Sequence, residues 1–401
     1  MAMKLFSAAV VVALIILGTF TSGGGDWPRW RGPDLNGISP EKGWQAQWPA
    51  EGPKQLWKAS VGTGFSSFSV SDGRVYTMGN TTNTDWVFCL DAETGKVVWG
   101  HSYPCPLAAN NFEGGPCATP TVADGRVYTF SRKGDLFCLD SAKGTVIWSR
   151  NLNRELGLEI PTWGCASSAL VEGAMVVVNM GSAGVALDRK SGKVVWVSAK
   201  GPGAYATPVP FKIGSERYLA ILSRQSLIAV QAADGHEVWS YPWKTEYDVN
   251  AADPIVDGDK VFISSGYNHG GAVLKLTGQT PEKVWENKNM RNHFDSCVLW
   301  QGYLYGPDDN GLRCLAFDTG ELKWTYGEFG KGSLMVADGK LVGLSEKGEL
   351  IIAEPTPAEF KPIARAQVLQ GKCWTTPLLS NGHIYCRNAV GDVVCLDVGG
   401  K

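Results

Sequence analysis

The chain has 401 residues, and its 37 Lys and Arg nearly balance 39 Asp and Glu, with no basic run. That pattern excludes nucleic acid as a partner. Forty-nine glycines and 16 tryptophans suit a turn-dense all-β chain, and a fixed internal period overrides the two or three domains that length alone suggests.

Residues 1–24 hold one lysine, an apolar run from Leu5 to Leu17 and then small residues. This is a secretory signal pattern, with cleavage around Thr21 to Gly24. Stretched towards spanning length, the same run would instead stay as an N-terminal anchor. Either way the folded part works in the periplasm or outside the cell, and meets a membrane only if the segment is uncleaved. Residues 25–53 begin GDWPRWRGP, too rich in proline and glycine for a blade strand. Trp27, Trp30, Trp44 and Trp48 point to a strap ordered across the fold, with Arg29 and Arg31 stacking on rings or pairing with acids. A free interaction tail is the alternative.

From Lys54 a repeat begins. An orphan strand, Lys54 to Ala59, carries Trp57; then LDAETGKVVW (Leu90 to Trp99) returns as LDSAKGTVIW (Leu139 to Trp148) and LDRKSGKVVW (Leu187 to Trp196). Weaker copies end at Trp239, Trp285 and Trp324. Successive tryptophans from Trp57 lie 42, 49, 48, 43, 46 and 39 residues apart, the length of one four-stranded propeller blade. Inside an interval, ATPTVADG, RVYTFS, LFCLD and TVIW read as strands separated by tight turns.

Inner strands begin near Ser66, Ala118, Ala166, Ala206, Ala251, Ser296, Gly332 and Thr375, which makes eight blades. The seventh lacks its tryptophan, and its last strand is placed at Phe360 to Ala364. The eighth ends without a fourth strand, so Lys54 to Ala59 must supply it, closing the ring and removing the last free edge. Residues 54–398 therefore read as one all-β, eight-bladed propeller of four-stranded antiparallel blades closed by an N-terminal strand, and the chain as a monomer.

Four of the ten cysteines (Cys89, Cys138, Cys314 and Cys395) occupy one repeat position, too far apart between blades to bond. They read as small core residues. Two pairs stay open between disulfide and buried thiols. Aligning the eighth blade with the second sets Cys386 opposite Cys395, and Cys105 and Cys117 flank one connecting loop.

The recurring D-x-x-[TS]-G-x-x-x-W, read at Asp91 and Asp188, resembles the tryptophan-docking repeat of quinoprotein (PQQ-like) propellers. That family includes quinone-dependent alcohol dehydrogenases and the propeller lipoprotein of the outer-membrane β-barrel assembly complex. DWPRWRGPDLNGISPEKGW (Asp26 to Trp44) and NKNMRNHFDSCVLWQGYLYG (Asn287 to Gly306) resemble secreted PQQ-binding-like β-propeller repeat proteins. The resemblance implies that Trp57, Trp99, Trp148, Trp196, Trp239, Trp285 and Trp324 each dock flat on the neighbouring blade, their N–H groups finding carbonyls. Their role is structural.

Function should lie where the repeat breaks. YNHGG and RNHFD interrupt the fifth and sixth blades, so Asn268, His269, Asn292, His293 and Asp295 are expected to line the functional mouth, with Trp163 and Tyr205 on its far side. A merely solvated channel mouth is the alternative. As exposed loop residues, His293 and Asp295 should tolerate alanine with little change in melting. Lead-ins to the inner strands also bring Phe65, Cys117, Asp253, Lys331 and Trp374 near that face. The resemblance implies that an alcohol or sugar dehydrogenase would need PQQ, calcium ligands and adjacent cysteines. No two cysteines are adjacent, and haem, zinc and P-loop motifs are lacking. No catalytic residue or metal ligand is assigned. The expectation is a non-catalytic binding or scaffold propeller of the bacterial envelope, whose partner is an envelope protein or small polar ligand. A quinoprotein oxidoreductase with a diverged cofactor site is the rival.

Overall fold

The computed structural model describes residues 25–400 except Pro202, Gly278 and Asn310; the signal or anchor segment lies outside the described residues. Eight sheets of four antiparallel strands follow one another along the chain. Blade 1 comprises Ser69–Ser71, Arg74–Thr81, Thr84–Asp91 and Val97–Pro104. The innermost strands of the next blades begin at Thr121, Leu170, Val209, Ile255, Val298, Ser333 and Leu378. Blade 8 has three strands of its own, and Lys54–Ser60 pairs antiparallel with Asp392–Asp397 as its fourth, Trp57 facing Cys395. Ring closure by the N-terminal strand is therefore real. Blade 7 ends in Lys361–Gln367, slightly beyond the stretch placed from sequence, and a short strand, Ile38–Ser39, adds in parallel to its inner edge.

Each outermost strand carries the same irregularity. Cys89 faces Trp99 but Leu90 faces Val97, leaving Val98 unpaired; equivalent shifts occur in all seven other blades. Such a bulge twists the strand and re-aims the next side chain. Val97 and Val98 are consequently 58% and 45% exposed while Trp99 is 8% exposed. The re-aimed indoles reach into the next blade. The Nε1 groups of Trp57, Trp99, Trp148, Trp196, Trp285 and Trp324 donate to the carbonyls of Ala92, Ser141, Arg189, Ala232, Phe317 and Thr356 at 2.8–3.2 Å. Trp239 is buried but its N–H has no acceptor among the described residues. Beneath the Trp57 ring lies Gly95, at φ +67°, where a Cβ would come within 2.5 Å of the indole. Both conformation and space therefore demand glycine there. Asp91 Oδ1 completes the turn by accepting from the backbone N–H and hydroxyl of Thr94.

Residues 25–53 run across the blades. Trp27 bridges to Val70, the Val122 N–H donates to Pro28 O, Val336 N–H donates to Gly37 O, and Glu41 accepts from the Gly382 N–H. Trp44 is buried in the cluster that joins blades 7, 8 and 1, and Trp48 Nε1 donates to Arg365 O on the outer strand of blade 7. The segment thus covers the one seam whose outer strand has no tryptophan.

All ten cysteines are free thiols, so neither open pair is a disulfide. The ladder sets Cys386 against Val394 and Tyr385 against Cys395, one residue off the sequence alignment. Neighbouring residues of a strand point to opposite faces, so the two sulfurs diverge. Cys105 is buried, and Cys117 Sγ donates to Gly115 O.

Candidate functional site

Where the eight inner strands converge, two repeat positions build a cavity on the axis. Two residues ahead of the strand register stand Ser67, Thr119, Ser168, Thr207, Asp253, Ser296, Ser333 and Thr376. They join blade to blade. The N–H groups of Ser67, Thr119 and Ser168 donate to the hydroxyls of Thr119, Ser168 and Thr207; Thr207 N–H donates to Asp253 Oδ1, and Asp253 N–H to Ser296 Oγ. Ser333 and Thr376 share a hydroxyl bond, and Ser67 Oγ donates to Thr376 O. This belt satisfies backbone donors that face the axis, as buried polar groups require. Only blade 5 breaks the hydroxyl pattern, with Asp253.

Two residues earlier in each blade stand Phe65, Cys117, Ala166, Tyr205, Ala251, Phe294, Lys331 and Trp374, and all eight line a cavity of about 660 Å³. Loops add Phe112, Trp163, Tyr247, Tyr267 and His293. The rings form a collar. Trp163 meets Phe112 at 6.0 Å between centroids, Phe112 meets Phe65 at 5.8 Å, and Phe65 stacks on Trp374 at 5.6 Å. Phe294 follows at 4.6 Å, then His293 at 4.2 Å, Tyr267 at 4.3 Å and Tyr247 at 4.9 Å. The Tyr205 hydroxyl accepts from the Trp163 N–H.

The strap supplies the floor. Trp30 lines the cavity and donates its indole N–H to Asp253 Oδ2 at 2.6 Å. Arg31, buried beside it, donates to Cys297 O and Leu35 O. Burial pushes the Asp253 carboxyl up to about 6, against Arg31 and the Thr207 and Trp30 donors. Burial likewise pushes Asp295 up to about 7, opposed by Thr376, Ser333 and Arg31 and reinforced by Asp253. Asp295 Oδ1 accepts from Thr376 Oγ1, and Oδ2 is buried. On the wall, Lys331 Nζ lies 3.2 Å from His293 Nδ1, which also faces Asp309 Oδ1 at 3.2 Å.

Of the residues expected at the mouth, the structure gathers Trp163, Tyr205, His293 and Asp295 around the cavity. The other three do not line it. Asn268 is exposed in a left-handed turn (φ 57°), its N–H donating to Asp309. His269 packs edge-on against Trp243 at 4.5 Å, and burial lowers its pKa. Asn292 is buried, donating to Pro307 O and accepting from Cys297 Sγ. Asp295 is only 6% exposed, so it is a buried acid rather than an exposed loop residue. Missed from the sequence were Trp30, Phe112, Tyr247, Tyr267 and Phe294. Superposing the repeats would have exposed Phe294, which shares its position with Phe65 and Trp374; the loop aromatics carry no such periodic signal.

Residues 83–326 match the profile of the family described as outer membrane protein assembly factor BamB. No curated protein matches the chain in sequence. Similar solved structures include BamB from Moraxella catarrhalis, 17% identical, covering 86% of this chain and 99% of that one with a TM-score of 0.64. Quinohemoprotein alcohol dehydrogenase from Comamonas testosteroni is 13% identical over 94% of this chain and 81% of that one, TM-score 0.69. A europium-containing methanol dehydrogenase is 13% identical over 92% and 91%, TM-score 0.70. Likeness at such identity establishes the fold alone.

Proposed function

The chain belongs to the family described as outer membrane protein assembly factor BamB, and from that premise we propose a non-catalytic binding propeller of the bacterial envelope that captures a small ligand in its axial cavity. The apolar segment at residues 1–24 and the family description support the location. The observation that carries the reading is the cavity itself, closed below by Trp30 and walled by a continuous aromatic collar. Stability does not call for it, because the belt and the seams already join the blades. Large, mostly apolar concavities with a few convergent polar groups are the usual form of ligand sites.

The rival reading is a PQQ-dependent oxidoreductase, suggested by dehydrogenases of the same fold. The donor set does not fit a calcium ion. Asp253 commits both oxygens, to Thr207 and Trp30, and among the described residues no three His, Cys, Asp or Glu side chains converge. Calcium takes six to eight oxygens. Two measurements test the proposal. Ala166→Trp or Ala251→Trp fills the cavity and should abolish retention of any small molecule that copurifies, seen by native mass spectrometry, with melting unchanged. Added PQQ and calcium should give no cofactor spectrum and no dye reduction; either signal would move the protein to the oxidoreductases.

A further inference from the structure

Three carboxylate or ammonium groups reach the axial cavity: Asp253, Asp295 and Lys331. Asp253 is spent on Thr207 and Trp30. Asp295 lines the cavity and forms no ion pair among the described residues; its Oδ1 accepts from Thr376 Oγ1. Lys331 forms no ion pair among the described residues; its Nζ rests on His293 and over the Phe294 and Trp374 rings, 5.6 and 5.9 Å from their centroids. The two unmatched groups, opposite in sign, stand on the lead-ins of adjacent blades 6 and 7.

This juxtaposition constrains what binds. A simple cation satisfies Asp295 but faces Lys331, and a simple anion does the reverse. A neutral ring compound fills the collar and leaves both charges unmatched. Only a ligand with ammonium and carboxylate close together matches both, and across the cavity Phe65, Phe112 and Trp163 offer its body an apolar wall. We propose that the cavity binds a zwitterionic small molecule, an α-amino acid with a large apolar side chain, its ammonium on Asp295 and its carboxylate on Lys331. The proposal rests on the reading of the cavity as a ligand site.

Calorimetry on the purified protein tests it with phenylalanine, 2-phenylethylamine, 3-phenylpropionate, glycine and cyclohexanol. Phenylalanine should bind at least about tenfold tighter than either singly charged analogue, since a hydrogen bond to a charged group is worth that much. Glycine and cyclohexanol should not bind measurably. Asp295→Asn should weaken phenylalanine and phenylethylamine but spare phenylpropionate, and Lys331→Met should do the converse. The analogue series on the parent protein decides the matter even if a variant misfolds. If an analogue or cyclohexanol binds as well as phenylalanine, the ligand class is wrong while the cavity remains a ligand site. If no probe binds and the Ala166→Trp protein loses no copurifying molecule, the cavity reading falls as well.

Discussion

The outer seams and the axial lead-ins use one repeat register and treat it in opposite ways. At the seams, Trp57, Trp99, Trp148 and Trp196 repeat the same side chain, the same bulge and the same N–H bond to the next blade's carbonyl. At the lead-ins, the equivalent residues run Phe65, Cys117, Ala166, Tyr205, Ala251, Phe294, Lys331 and Trp374, eight places filled by six residue types. Every seam performs the same task, so selection of side chain is uniform there. The axis is one shared space, so eight places can divide the work of lining it. Repetition therefore marks structure, and its loss marks a surface free to specialise.

The largest expected effect comes from the seam that closes the ring. Starting the chain at Val61 removes both the strap and the outer strand of blade 8, leaving Asp392–Asp397 as an open edge. Such edges pair with other chains, and size-exclusion chromatography should find aggregate; a monomer with parental melting would break the comparison. Next, Trp99→Ala, Trp148→Ala or Trp196→Ala should cost about 3–5 kcal/mol each in denaturant melts, as large aromatic truncations do. Ligand binding per folded molecule should not change.

A smaller effect, opposite in sign, is expected at the axis. Asp295 is raised to about 7 in the folded protein, above the ordinary range of an unfolded aspartate near 4. Between those values the folded state binds more protons than the unfolded one, so stability falls as pH rises through that window. Below it both states are protonated and no penalty exists. The Asp295 contribution to stability therefore grows as pH drops from 8 to 5. Comparing melts of the parent and Asp295→Asn isolates it from the half-buried histidines His101 and His269, which act in the opposite direction. Asp295→Asn should stabilise by about 1 kcal/mol or more at pH 8, with a gain that shrinks towards pH 5. A flat difference across that range would remove Asp295 from the buried set. The smallest effect belongs to the turn beside the collar. Asn268→Ala should shift stability by no more than about 0.5 kcal/mol, as exposed changes do, and leave ligand affinity unaltered; a loss of affinity would extend the functional surface outward.

Blade number, ring closure and the tryptophan positions were legible in the sequence because each is written many times or completes a count. Four of the seven residues expected at the mouth, His293, Asp295, Trp163 and Tyr205, line the cavity, the first two on a broken repeat. Breaks in a repeat do not all face the axis, however. Asn292 turned inward to bond Pro307 O, and His269 turned to Trp243. The pairing of Cys386 with Cys395 failed by one residue, and one residue is the difference between two faces of a strand.

The repeat alone specifies eight blades and their closure, because a period of this length leaves each blade's apolar face unburied until a neighbour covers it. The chemistry of the axis arises only once the ring is folded. Trp30, Asp253, Asp295 and Lys331 lie on the strap and on three separate blades, as far as 301 residues apart in the chain. Their protonation and pairing depend on burial and on distances across the ring, which no local pattern encodes.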